Sequence, residues 1–293
     1  MSLVLKNVSK IYGKKAALNG LDLELEDQKI YGLIGRNGAG KTTLLSIASA
    51  QNAATEGEIL LDGKKVWENE EVLKDICFSR ELATTATDSR NASKVCEYLR
   101  IASILYPAWD AELAQELVKE FGLDCKMRMN KLSKGMQSMV TIIVALASGA
   151  RFTFLDEPVT GLDVVAREYF YKVLLDEYAK GERTFVISTH IIEEAANVFE
   201  EVIFLHEGKV LLKEETDSLL ERAVHISGRE EDVDAVCEDR KVHHVEKLGR
   251  SKGVTVLLDR GEEPDAKGRD VDIRPLSLQD VFVALCGREE IYE

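Results

Sequence analysis

A chain of 293 residues, 45% hydrophobic and 31% charged, has core enough for one large domain, or for one with a small second domain. No apolar run approaches the roughly 18 residues that span a bilayer and no signal peptide opens the chain, which is therefore expected to stay in the cytosol. A formal charge of −14 argues against life on DNA or RNA, where a basic stripe displaces counterions, so acidic runs such as residues 68–71 and 230–234 read as solvated faces.

Residues 3–13 alternate apolar and polar side chains and stop at Gly13, as a half-exposed strand and turn do. A second alternating run follows at residues 21–26, so antiparallel strands open the chain. Tyr12 reads either as an ordinary strand-end aromatic or as a ring that stacks on a nucleotide base, and spacing does not decide between them.

Residues 29–34 form a continuous apolar run and residues 42–48 a helical one. Between them stand Gly35, Arg36, Asn37, Gly38, Ala39, Gly40, Lys41 and Thr42, the pattern of a glycine, four free positions and Gly-Lys-Thr. A chance match in a chain of this length has a probability of roughly 1%, and the flanking strand and helix lower it further. The glycines let successive N–H groups and a helix N-terminus converge on one anion. Lys41 would reach the β- and γ-phosphates of a nucleotide, and the Thr42 hydroxyl would ligate Mg²⁺.

Residues 57–64 look like a strand ending in an Asp-Gly turn. From about Asn91 to Leu123 apolar residues recur at three and four, among them Val95, Leu99, Ile101, Ala102, Leu105, Leu113 and Leu117, and residues 106–110 break that region into two helices. This helical insertion ends at residues 132–137, Leu-Ser-Lys-Gly-Met-Gln, which open another apolar helix. Residues 152–158 then form a buried strand carrying Asp156 and Glu157 at its carboxyl end, where ligands of parallel α/β sheets sit. There Asp156 would hold Mg²⁺, directly or through water, and Glu157 would face a water molecule.

Gly161, Leu162 and Asp163 lead into a helix through Tyr178, and residues 184–190 form a further apolar strand ending in His190. Alone, His190 reads as a structural histidine; polar groups at the ends of separate strands, all downstream of one phosphate loop, point to a shared pocket. The five cysteines are scattered without a C-x-x-C, and read as thiols in a reducing compartment.

In order and spacing, residues 2–220 resemble the ATP-binding subunits of ABC transporters, within them those of drug, antibiotic and ABC-2-type exporters. The resemblance implies an α/β P-loop core with an N-terminal antiparallel β subdomain, a helical insertion and a small α+β C-terminal extension. It matches Tyr12 to the adenine-stacking aromatic, residues 35–42 with Thr43 to the nucleotide loop, and residues 132–137 to the family signature. Asp156 and Glu157 match the Walker B pair, residues 161–163 the D-loop, and His190 the switch histidine. The signature is peculiar to this class. Ser133 and the amides around Gly135 form a second anion site at a helix N-terminus. Head-to-tail pairing would sandwich two ATP molecules between phosphate loop and signature of opposite copies, with Asp163 nearby. Lys41, Glu157 and His190 are then the catalytic residues, with ATP and Mg²⁺ as cofactors.

Three departures stand out. Lys134 and Met136 replace the usual Gly and Gln of the signature, and Glu81 stands where the family places a glutamine that approaches Mg²⁺ through water. Ser138 and Met139 occupy positions more often polar and basic.

The expected organisation is a nucleotide-binding domain over residues 1–222, with its helical subdomain at about 91–135, and an accessory domain over 223–293. In the latter only a strand at residues 253–258 and a closing helix at 277–285 are clear, and the His243-His244 pair reads as surface. The implied function is ATP hydrolysis that powers transport, in the export direction, through a separately encoded permease docked on the helical insertion. The protein would lie peripherally on the cytoplasmic face of the membrane, as a homodimer or paired with a similar subunit, without nucleic acid. A different reading is a soluble ABC ATPase acting on ribosomes or DNA. Such chains carry two cassettes or a coiled coil and basic surfaces, whereas this one has a single cassette and strong negative charge. A regulatory partner that binds ATP without hydrolysis would lack the Glu or His.

Overall fold

Ile30 and Ile34 face one side of a strand and Tyr31 and Leu33 the other, and all four are buried, so this strand lies within a sheet covered on both faces. The computed structural model describes residues 1–81, 93–262, 265–266 and 268–287, the side chain of Leu248 excepted. The expected start of the helical insertion at Asn91 lies outside the described residues.

In chain order, β1 (Ser2–Tyr12) and β2 (Lys15–Glu26) pair antiparallel, and β3 (Ile30–Ile34) runs into α1 (Lys41–Ala48). Next come β4 (Glu56–Leu61), β5 (Lys64–Lys65), α2 (Glu70–Leu73) and β6 (Ile76–Ser79). Asp62 and Gly63 both have positive φ, as a two-residue hairpin between β4 and β5 needs. The insertion comprises α3 (Val95–Leu105) and α4 (Ala111–Glu120), and α5 (Lys134–Ala147) returns the chain to the core. Then follow β7 (Phe152–Asp156), α6 (Val164–Ala179), β8 (Thr184–Thr189), α7 (Ile192–Ala195), β9 (Glu201–His206), β10 (Lys209–Glu215) and α8 (Thr216–Arg222). The tail holds β11 (Ala223–Arg229), α9 (Glu230–Cys237), β12 (Val242–Leu248), β13 (Ser251–Leu257), β14 (Val271–Pro275) and α10 (Leu278–Cys286).

The central sheet has the order β10-β9-β3-β8-β7-β6; β10 is its antiparallel edge, and the others run parallel. Because β3, β8 and β7 are neighbours in parallel register, Ile34 pairs with Thr189 and Asp156 with Ser188, which brings three carboxyl ends side by side. One face of the sheet packs on α5 and α6 through Leu155, Phe185 and Ile187, and the other on α1 and the β2-β1-β4-β5 sheet through Phe152, Phe154 and Val186. Burying such a side chain stabilises by about 1.5–3 kcal/mol, so this alternation fixes the register on which the site depends.

Two expectations change. The helical period in α3 is present, but Ile101, Ile104 and Leu105 are exposed, while Val95 and Ala102 carry its buried side. Apolar residues on this helix outnumber the stripe that the core covers. The tail is richer than a strand and a helix: β12-β13-β11-β14 form an antiparallel sheet with its own small core, including Val224, Ile226, Val236 and Val256. By contrast Leu278 and Val281 of α10 belong to the main core, and Phe282 stacks edge-on against Phe204 of β9 at 5.5 Å. His243 and His244 are half-buried on β12, and among the described residues no group of His, Cys, Asp and Glu is arranged to hold a metal.

Candidate functional site

The loop after β3 turns back on itself into α1, and Gly40, the residue before the helix, has φ 111°, a region closed to side-chain-bearing residues. A Cβ there would also meet the Ala17 carbonyl at 2.6 Å. Lys41 is buried at 7% exposure and donates from Nζ to the Gly35 carbonyl at 2.7 Å, so the ammonium lies under its own loop. Arg36, Asn37 and Gly38 are exposed, Ala39 is buried, and Thr42 and Thr43 lie in the first turn of α1.

The ends of β7 and β8 supply the rest. Thr42 Oγ1 donates to Asp156 Oδ2 at 2.7 Å, and Ser188 Oγ donates to Asp156 Oδ1 at 2.5 Å, so the carboxylate is held from the neighbouring strand and from α1. Hard oxygen donors in this arrangement suit a small divalent cation that completes its shell with water and phosphate, as Mg²⁺ does. Glu157 follows in the left-handed region with φ 51°, and its N–H is bonded to the Ser188 carbonyl and hydroxyl at 3.1 and 3.0 Å. That strained backbone aims its carboxylate between Lys41 Nζ, at 3.7 Å from Oε1, and His190 Nδ1, at 2.6 Å from Oε2. His190 is half exposed, with Nδ1 committed to Glu157.

A second polar cluster lies where α5 begins. Ser133 caps the helix by accepting from Met136 N at 3.2 Å, and Gly135 abuts Gly161 so closely that a Cβ would lie 2.3 Å from the Gly161 carbonyl. Ser138 Oγ donates to the Thr160 carbonyl at 3.0 Å, and the buried Gln137 amide donates to the Met129 and Leu132 carbonyls at 3.2 and 3.3 Å. Asp163 caps α6 by accepting from Ala166 N. Lys134 and Glu81 form an ion pair at 3.1 Å.

The structure thus brings together Lys41, Thr42, Asp156, Glu157 and His190, and separately Ser133, Gly135 and the 161–163 loop. Tyr12 stands apart, half exposed, bonded by Asn52 Nδ2 at 2.5 Å and lying 5.2 Å under the Lys10 ammonium. Sequence reasoning missed Ser188, whose signal was present: it is the one hydroxyl inside the apolar run of β8 immediately before Thr189. It also missed Phe282, which, with Arg36, Asn37, Thr189 and His190, lines a cavity of about 320 Å³. Its place in a closing Leu-x-Asp-Val-Phe helix was legible in the sequence, but not that it reaches the site.

A profile of the ABC transporter family matches residues 18–160. The Nod factor export ATP-binding protein I of Burkholderia lata is 30% identical to this chain, over 97% of it and 96% of the relative. The ABC transporter ATP-binding protein YtrB of Bacillus subtilis is 25% identical over 97% of both chains. Among solved structures, the ATP-binding subunit of an ABC transporter superposes with a TM-score of 0.65 at 26% identity, covering 75% of this chain and 92% of that one. A dimeric cassette in a post-hydrolysis state, bound to ADP and Pi, superposes with a TM-score of 0.61 at 25% identity, covering 73% and 98%.

Proposed function

The chain belongs to the ABC transporter family as an ATP-binding subunit, and on that premise we propose that it drives export through a separate permease by closing, head to tail, over two ATP molecules. Binding and hydrolysis of ATP are its activity, it powers transport, and it works with a membrane permease and as a dimer. No described helix is long and apolar enough to cross a membrane. In this reading the chain lies on the cytoplasmic face of the membrane, held by its permease. The relatives named for Nod factor export and lantibiotic transport support the outward direction. The exposed Ile101, Ile104 and Leu105 of α3 support docking of the permease on the helical insertion. Both half-sites occur in one chain, which favours a homodimer.

In the proposed mechanism, the loop amides and Lys41 take the β- and γ-phosphates, and Tyr12 stacks on the adenine. Thr42 and Asp156 would hold Mg²⁺, which neutralises charge on the phosphates when bound. Glu157 accepts the proton of a water as its oxygen attacks the γ-phosphorus and the bond to the β-phosphate oxygen breaks, leaving ADP and phosphate. His190 holds the Glu157 carboxylate in place and contacts the γ-phosphate; Ser133 and the amides near Gly135 contact the γ-phosphate of the partner copy's ATP.

The observation that carries this reading is the meeting of Glu157 with both Lys41 and His190. Two measurements test it. Purified chain should hydrolyse ATP with a steep dependence on protein concentration and stop when Mg²⁺ is chelated. Thr42→Val should raise the Mg²⁺ concentration needed for half-maximal turnover by about 10–100-fold. Tagged chain captured from detergent-solubilised membranes should bring with it a multi-helix membrane protein; recovery of ribosomal or DNA-bound proteins in its place would overturn the transport assignment.

A further inference from the structure

The closing helix α10 lies far along the chain from the phosphate loop, yet it packs against α7, the short helix that follows His190, and against β12 of the tail sheet. Its buried side chains Leu278 and Val281 lie in the main core at 2% and 0% exposure, and a capping box of Ser277 and Asp280 starts it firmly. Phe282, one residue on, contacts Phe204 and lines the cavity that also exposes Asn37, Thr189 and His190. At the same end, the buried Cys286 thiol lies within the field of the Arg36 guanidinium in the phosphate loop.

We infer that Phe282 is a positioning residue for ATP hydrolysis, forming with Ile192 the apolar wall that keeps the His190 imidazole turned toward Glu157. The imidazole is half exposed and, among the described residues, is bonded through Nδ1 to Glu157, so a ring hinged at the end of β8 needs a second constraint to stay there. Phe282 and Ile192 border the cavity into which the imidazole would swing on leaving Glu157, and that apolar border offers it no hydrogen bond there.

This inference rests on the ATPase reading. Its test measures steady-state hydrolysis by the full chain, with folded fraction and melting temperature recorded for each variant. Phe282→Ala should lower kcat by about tenfold with KM for ATP nearly unchanged, and should alter the pH profile of kcat, because a loosened His190 no longer holds Glu157. Val283→Ala, on the exposed side of the same helix, should match the parent. If Phe282→Ala does not fold, Phe282→Leu, which keeps an apolar contact to Phe204 but shortens the wall, decides: a kcat lowered several-fold with an altered pH profile supports the inference. A parental kcat and pH profile in folded Phe282→Ala, or in Phe282→Leu where it serves as the test, overturns it even if the melting temperature falls. Absence of turnover in the parent chain would instead defeat the ATPase reading.

Discussion

Glu157 adopts φ 51° and places Oε2 2.6 Å from His190 Nδ1, joining the ends of β7 and β8 through a single carboxylate. A non-glycine residue in that region stores about 1–3 kcal/mol of strain, which the surrounding bonds from Ser188 sustain. Glu157→Gln keeps the size and removes the proton acceptor. Hydrolysis should fall by about 10²–10⁴-fold while ATP still binds, so the variant should elute as a dimer in ATP and as a monomer without it. A variant that stays monomeric in ATP contradicts the sandwich.

Gly135 and Gly161 touch backbone to backbone. An added methyl at 135 would stand 2.3 Å from the Gly161 carbonyl, inside any real contact distance. Gly135→Ala should therefore push α5 away from the 161–163 loop at a cost of about 1–3 kcal/mol in chemical denaturation. Turnover should drop sharply, while ATP affinity of the isolated chain, which depends on its own phosphate loop, stays near the parent's.

The central sheet was legible because buried parallel strands are continuous apolar runs: residues 152–156 and 184–189 announce themselves, and so does the polar group at the end of each. Three features were not. The tail strands β11, β12 and β14 carry few apolar residues, interrupted by His, Gly, Lys, Arg and Asp, so they lack the contrast that marks a strand. Arg183 sits at 4% exposure, with burial pulling its pKa down, satisfied by Glu177 and by the Ala145, Leu146 and Ala150 carbonyls; such a pair is invisible until the elements are assembled. Phe282 is the third: which wall a helix residue lines depends on long-range packing.

Arg151, just before β7, binds Asp27 through Nε at 3.0 Å and Asp62 through Nη1 at 2.5 Å, tying the antiparallel sheet to the central one. Its hydrogen bonds hold the Asp62 carboxyl below the usual aspartate range. A depressed carboxylate pKa contributes stability that is fully present above the unfolded value of about 3.9 and is lost as pH falls through the folded value. Arg151→Met should cost about 1–2 kcal/mol in urea unfolding at neutral pH. The gap between variant and parent should narrow as pH falls below about 4; a gap constant with pH would show that the stabilisation comes from packing of the arginine stem.

Glu81 and Lys134 are separate departures from the family pattern, yet they meet at 3.1 Å as one ion pair between the end of β6 and the first turn of α5. A lysine there opposes the positive end of its own helix, which costs about 0.3–1 kcal/mol, and Glu81 offsets that charge. Both side chains are more than half exposed, so the pair itself is worth about 0–1 kcal/mol and removing it should barely move the melting temperature. We predict an effect on turnover instead, because the resemblance puts one partner where an Mg²⁺-facing amide is expected and the other in the signature. Glu81→Gln, which keeps an oxygen at that place, should retain most turnover. Glu81→Lys sets two ammonium groups against each other and should lower turnover markedly, and adding Lys134→Glu should restore part of it. An equal loss in the single and double variants would mean that a carboxylate at 81, rather than its pairing with Lys134, is what hydrolysis requires.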